Sequence, residues 1–262
     1  MFVKTDLKNE IFKITLNRPE VRNAFHPQMI DELTKAFQDA DASPARMVFL
    51  SGEGKSFCAG ADLDWMKSMK NYSLEENKKD SEKLFSMFEA AKDCTLPILG
   101  EVQGHVMGGA LGLVAICDFV VAESETKFCF SEVKLGLVPA VISPFVLRKM
   151  NASFARQAML TGQVFASKQA LQHGLIQFSG SLDECKNILS KVAQDFFNAA
   201  PQAVRETKAL INKVHQPFFN GLKEETARVI AERRVSDEGQ AGLSAFFSKQ
   251  DVPWKKDFNG SF

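Results

Sequence analysis

Apolar and polar residues alternate over Ile11-Phe12-Lys13-Ile14-Thr15-Leu16, the two-residue period of a strand, and Asn17-Arg18-Pro19 ends it. From Pro27 to Phe37 the period lengthens to that of a helix, with Met29, Ile30, Leu33 and Phe37 on one face and proline at the start. Met47-Val48-Phe49-Leu50 predicts a short buried strand, broken by Ser51-Gly52-Glu53-Gly54. Residues 74–92 predict a helix whose apolar positions include Leu84, Phe85, Phe88 and Ala91. Strands are expected at Pro97 to Val102 and Phe119 to Ala122, with a short apolar helix from Ala110 to Cys117 between them. This alternation predicts an α/β fold with a largely parallel, layered sheet.

After Ser143 the pattern becomes helical, over 143–150, 153–160, 182–198, 202–214, 220–234 and 239–248. The expected organisation is a core over 1–200 and a helical region over 201–262, beginning at Pro201. The second region carries Phe218, Phe219, Phe246 and Phe247. Helices this rich in phenylalanine need a partner surface, either the same chain's core or a neighbouring subunit.

Composition narrows the class. The 262 residues are 45% hydrophobic and 24% charged, as in an ordinary soluble protein long enough to bury a sizeable core. Lys+Arg and Asp+Glu both number 32, and this zero net charge argues against nucleic acid as the main partner. Cys58, Cys94, Cys117, Cys129 and Cys185 are scattered and odd in number, with no C-x-x-C pair, which reads as reduced buried thiols. The four histidines lack metal-ligand spacing, so no metal is expected. No apolar run has the length of a membrane span and the N-terminus does not read as a signal peptide, so a cytoplasmic location is expected.

Candidate chemistry sits in two glycine-containing segments, Phe57-Cys58-Ala59-Gly60-Ala61-Asp62-Leu63 and Gly104-His105-Val106-Met107-Gly108-Gly109-Ala110. Each follows a strand-like run and leads into a helix-like one. Two such turns can aim two backbone N–H groups at one point, the geometry that holds a negatively charged oxygen. Other motifs fail. Gly54-Lys55-Ser56 resembles the end of a phosphate-binding loop, but the first glycine would fall at Phe49. There is no G-x-G-x-x-G and no G-x-S-x-G, so neither a dinucleotide fold nor an activated serine is supported.

Taken together, the segments resemble the enoyl-CoA hydratase/isomerase (crotonase) family over nearly the whole chain. The resemblance is carried by Asn17 to Phe25, Phe57 to Leu63, Gly104 to Gly109, Ala115-Ile116-Cys117-Asp118, Phe130 to Pro139, and Phe246-Phe247-Ser248-Lys249 with Pro253. It implies a crotonase-like superhelix of ββα units with a helical C-terminal trimerisation region, assembled as a homotrimer or a dimer of trimers. It implies an acyl-CoA thioester as substrate and an enolate as intermediate, with no cofactor beyond the CoA that the substrate carries.

Residue by residue, the resemblance gives the backbone N–H groups of Ala61 and Gly109 the role of an oxyanion hole. Fixed donors meet charge that grows on the thioester oxygen, and losing one comparable donor costs about 2.7–4 kcal/mol. Arg22, Ala24, Ala59, Asp62 and Leu63 fall at CoA-binding positions. Phe246 and Lys249 match tail positions that can reach a CoA in a neighbouring subunit. Glu132 is the expected general acid/base. Gly112 and Pro139 fall in the acyl pocket.

Gly112 departs from the family pattern. Hydratases of this kind place two glutamates around a water, and the first of them falls here on Gly112, which has no side chain. One reading keeps hydration, with Glu132 working on a held water and Gly112 making room for a bulkier acyl group. Another is a Δ3,Δ2-enoyl-CoA isomerase, which needs one base. A third, from another class, is a non-catalytic acyl-CoA or RNA-binding relative. The segments Leu111 to Ala115, Phe130 to Gly136 and Pro139 to Val146 resemble the bacterial methylglutaconyl-CoA hydratase branch and, through a related branch, carboxygeranoyl-CoA hydratases. This implies leucine degradation or a comparable branched-chain route. A distal carboxylate on such a substrate calls for a cation, with Lys134 near in sequence to Glu132.

Overall fold

The computed structural model describes residues 1–215 and 220–254. Strand β1 (Val3–Lys8) and strand β2 (Ile11–Leu16) form an antiparallel hairpin. Its two-residue turn, Asn9 and Glu10, has φ of 50° and 58°, the paired left-handed conformation that suits the strand twist. β2 then pairs in parallel with β3 (Met47–Gly52), β3 with β4 (Ile98–Val102), β4 with β6 (Phe119–Glu123), and β6 with β9 (Phe178–Gly180). A second sheet of three short strands contains β5 (His105–Met107), β7 (Lys127–Cys129) and β8 (Val164–Ala166). The expected parallel sheet is present. Strand β1 escapes the period reading because five of its six residues are exposed. Three-residue strands such as β5 are too short for any period to register.

Helices α1 (Pro27–Ala42) and α3 (Leu74–Asp93) bury Leu33, Phe37, Phe85 and Phe88 in the main core, together with Ile14, Leu16, Val48 and Leu50 of the sheet. Between them lies α2 (Leu63–Met69). The short α4 (Ala110–Ile116) is buried on all sides, as its unbroken apolar sequence requires. α5 (Ser143–Lys149), α6 (Ala152–Thr161), α7 (Ser167–Gln172) and α8 (Leu182–Asn198) follow.

The C-terminal helices are α9 (Pro201–His215), α10 (Leu222–Val235) and α11 (Asp237–Ser248). They pack on the same chain's body. Lys208 on α9 donates to the Leu96 carbonyl and to Asp118, each at 2.7 Å. α10 lies along α3 with Ala227, Ile230 and Ala231 buried. Phe218 and Phe219, expected to need a partner surface, lie outside the described residues. α9 leaves Leu210, Ile211 and Val214 exposed.

Candidate active site

Both glycine-containing segments run side by side. The Cys58 N–H donates to the His105 carbonyl and the Met107 N–H to the Cys58 carbonyl, each at 3.1 Å, a one-residue parallel bridge between the loops. Gly60 (φ +91°) and Gly108 (φ +52°) then turn each chain by a conformation that L side chains rarely adopt. A Cβ on Gly60 would stand 3.0 Å from the Met107 carbonyl oxygen, so the loops approach as closely as glycine allows.

The residues following these turns are Ala61 and Gly109. Neighbouring amides are spent: Asp62 N–H on Phe25 at 2.9 Å, Gly108 N–H on Cys129 at 2.9 Å, Leu111 N–H on Gly108 at 3.0 Å. Neither the Ala61 N–H nor the Gly109 N–H has a backbone acceptor among the described residues, and both residues line one cavity. Gly109 also stands at the N-cap of α4, where the helix presents its positive end.

That cavity has a volume of about 520 Å³, within the range of pockets that hold small-molecule ligands. Its walls are apolar for the most part, among them Phe25, Met66, Leu84, Val138 and Ile142. Glu132 enters from the 3-10 turn Glu132–Leu135. Its Oε2 is buried and has no hydrogen-bond partner among the described residues. Its Oε1 lies against Gly108, where an added Cβ would meet it at 3.3 Å. Burial disfavours the charged form and lifts this carboxyl from 4.5 to about 7, opposed only by its own backbone amide. A carboxyl that titrates near neutrality, beside two unspent amides in an apolar chamber, can carry a proton to and from a carbon next to a stabilised oxyanion.

The other expected residues divide. Ala59, Leu63, Pro139 and Phe246 line the cavity, Phe246 doing so within this chain. Arg22 is exposed in a left-handed conformation, its carbonyl accepting from the Ala59 N–H at 3.0 Å. Lys249 is exposed at the C-cap of α11 and does not line this cavity. Ala24 is buried and away from the cavity lining.

Asp62 requires correction. It is 7% exposed, and both carboxylate oxygens are committed. Oδ1 accepts from the Asp64 and Trp65 amides that open α2, and Oδ2 takes Arg18 at 2.8 Å. Its backbone N–H and carbonyl are spent on Phe25 and Met66. Burial alone would raise its pKa, but Arg18 and the two amides hold the carboxyl below its usual range. Asp62 therefore locks the loop that presents Ala61, its carboxylate oxygens and its backbone groups each already partnered within the chain.

Gly112 is the second correction. It is buried in α4 and does not line the cavity. A Cβ there would stand 2.6 Å from Phe88 Cζ, 2.7 Å from Phe88 Cε1 and 2.8 Å from Ile142 Cγ2. The volume that a glutamate side chain would use is filled by the Phe88 ring, so Gly112 makes no room for an acyl group. Glu132 is left as the one carboxylate among the described residues of the cavity wall.

Lys134 is exposed, with its stem close enough to Gly162 that a Cβ there would touch Lys134 Cγ and Cε at 3.1 Å. The buried cation of the cavity is Arg234 on α10. Nothing in the sequence marked it, because it arrives from a distant helix and reads as an ordinary basic residue of a last turn.

The chain is similar to known proteins over nearly its whole length. The family described as enoyl-CoA hydratase/isomerase matches residues 6–257. An enoyl-CoA hydratase of Alternaria alternata is 35% identical over 254 residues, covering 93% of this chain and 81% of its own. An (E)-benzylidenesuccinyl-CoA hydratase of Thauera aromatica is 27% identical over 210 residues, covering 79% of this chain and 80% of its own. The crystal structure of an enoyl-CoA hydratase from Mycobacterium avium superposes with a TM-score of 0.87 at 28% identity, covering 97% of this chain and 99% of that one.

Proposed function

The chain belongs to the enoyl-CoA hydratase/isomerase family, with the crotonase-like fold of its enzymes, and from that premise we propose that it hydrates an α,β-unsaturated acyl-CoA. The observation that carries this reading is a Glu132 carboxyl, its Oε2 buried and unpartnered, sharing one largely apolar cavity with the unspent amides of Ala61 and Gly109.

In the proposed reaction the thioester oxygen accepts from the Ala61 and Gly109 amides. Ionised Glu132 takes a proton from a water whose oxygen bonds to Cβ, and the electrons of the double bond move onto the thioester oxygen as an enolate. Protonated Glu132 then delivers that proton to Cα on the same face. The carbonyl reforms, Glu132 is ionised again, and one water has been added. A single group suffices because the proton it removes is the one it returns, and a carboxyl titrating near 7 suits both halves. The scheme needs no cofactor beyond the CoA of the substrate.

For the acyl group we propose 3-methylglutaconyl-CoA, placing the enzyme in leucine degradation. The reading is supported by the sequence from Phe130 to Val146, and by a relative whose name denotes a hydratase of a dicarboxylic thioester. CoA would lie along Ala59 and Leu63, with Arg22 at the surface beside them. The exposed Leu210, Ile211 and Val214 of α9 support assembly as a homotrimer or dimer of trimers, in which Lys249 could face a neighbour's CoA. Five buried free thiols suit the reducing cytoplasm. Among the described residues no helix is long and apolar enough to cross a membrane.

One observation favours a second reading. With Phe88 in the place of a first glutamate, the cavity has the single base that a Δ3,Δ2-enoyl-CoA isomerase requires. Product analysis separates the two. Purified protein and its Glu132→Gln variant are each given 3-methylglutaconyl-CoA and, separately, a 3-enoyl-CoA. Formation of the hydroxyl product, lost in the variant, is expected. Double-bond migration in the 3-enoyl-CoA without water addition to either thioester would overturn hydration in favour of isomerisation.

A further inference from the structure

Two cations line the largely apolar cavity, Lys134 at the exposed surface and Arg234 buried in the wall. Arg234, near the end of α10, is 8% exposed and lines the cavity whose helical wall otherwise presents Leu84, Ile230 and Leu243. Its Nη1 donates to Asp80 Oδ2 at 3.1 Å, to Ser81 Oγ at 3.3 Å and to Asn77 Oδ1 at 3.5 Å. All three partners stand on α3, and together they fix one corner of the guanidinium. Nε and Nη2 have no acceptor among the described residues and neither is a sealed buried donor, and the residue lines the cavity.

Burying a cation is costly unless anions meet it, and one aspartate at one corner leaves donors to spare. A planar fork with two parallel N–H directions matches a carboxylate better than any neutral group. Lys134 also lines the cavity, but it is exposed, with its stem along Gly162, and water already solvates its charge. We propose that Arg234 binds a carboxylate carried on the acyl group, so that the preferred substrates are CoA monothioesters of unsaturated dicarboxylic acids. The inference rests on the acyl-CoA reading of this cavity, and assigns its specificity to a residue remote in sequence from Glu132.

The test reads binding apart from reaction. Glutaryl-CoA and pentanoyl-CoA have five-carbon acyl chains, differ at the far end by a carboxylate against a methyl group, and have no double bond to hydrate. Calorimetric titration should show the unmodified protein binding glutaryl-CoA about 10- to 100-fold more tightly, the range for a hydrogen bond to a charged group. In Arg234→Met the ratio should fall to about one, and Arg234→Lys should keep part of it. Reading the ratio within one preparation cancels any fraction of misfolded protein. If Arg234→Met leaves Asp80 too exposed to fold, the paired Arg234→Met/Asp80→Asn variant removes both charges together. Equal or weaker binding of glutaryl-CoA by the unmodified protein overturns the proposal, as does a preference that survives in Arg234→Met. A preference that holds while no enoyl thioester is hydrated would remove the hydratase reading and leave this one standing.

Discussion

Replacing Glu132 by glutamine should cut turnover steeply and, above neutral pH, make the protein more stable. The native carboxyl is lifted from 4.5 to about 7 by burial. Below pH 4.5 the group is protonated in both folded and unfolded chains and costs nothing. Between 4.5 and about 7 the unfolded chain releases its proton while the folded one keeps it, so stability falls as pH rises. Above about 7 the folded protein holds a buried carboxylate at the full penalty, about 3 kcal/mol. Glutamine has nearly the same shape and no charge, so it escapes this loss. The melting temperature of the variant minus that of the unmodified protein, followed by calorimetry from pH 4.5 to 8.5, should start near zero. It should climb through pH 5–7 and level off at roughly 6–12 °C, taking about 2–4 °C per kcal/mol for a chain of this size. Over the same range kcat/KM of the unmodified enzyme should rise with the ionised fraction of Glu132 and flatten above about 7, while the variant loses about 100- to 10,000-fold. A temperature difference that stays near zero at pH 8.5 would refute the reasoning, because it would mean that water or a partner already pays the carboxylate's solvation.

Three further outcomes are expected. Gly109 has φ −51°, which proline accepts, so Gly109→Pro should remove one oxyanion donor and lower kcat by about 100- to 1,000-fold; Gly109→Ala, which brings the same Cβ contact of 3.2 Å with Phe25 but keeps the N–H, should lose far less in steady-state assays. Gly112→Ala should destabilise by about 1–3 kcal/mol by forcing the Phe88 ring aside, and the added Phe88→Leu change should recover much of it in urea unfolding. Asp62→Ala should cost about 3–5 kcal/mol, since it strands Arg18, itself 9% exposed, and uncaps α2; because the Asp62 carboxyl is held below its usual range, its contribution is present at neutral pH and should disappear as acid protonates it, which denaturant titration at descending pH measures.

The sequence by itself determined the local elements and the chemistry of the two turns. Periodicity identified α1, α3 and β2 because each buries one face, while β3, β4 and β6 are legible as short apolar runs because both of their faces are largely buried. Glycine at 60 and 108 announced conformations that few other residues adopt, and so the position of the amides that follow. Family resemblance pointed to Glu132 as the expected general acid/base, and the fold then supplied what no one-dimensional pattern contains: the burial of its Oε2. Tertiary structure alone decided the rest. That Asp62 is a loop lock depends on Arg18, forty-four residues away in the chain. That Gly112 is packed shut depends on a phenylalanine from α3 and an isoleucine from before α5. Arg234 became part of the cavity because α10 folds back along α3, where Asp80, Ser81 and Asn77 hold it. Local sequence encodes conformation through short-range sterics and periodicity, whereas a side chain's solvation and partners are set by whichever distant elements pack against it.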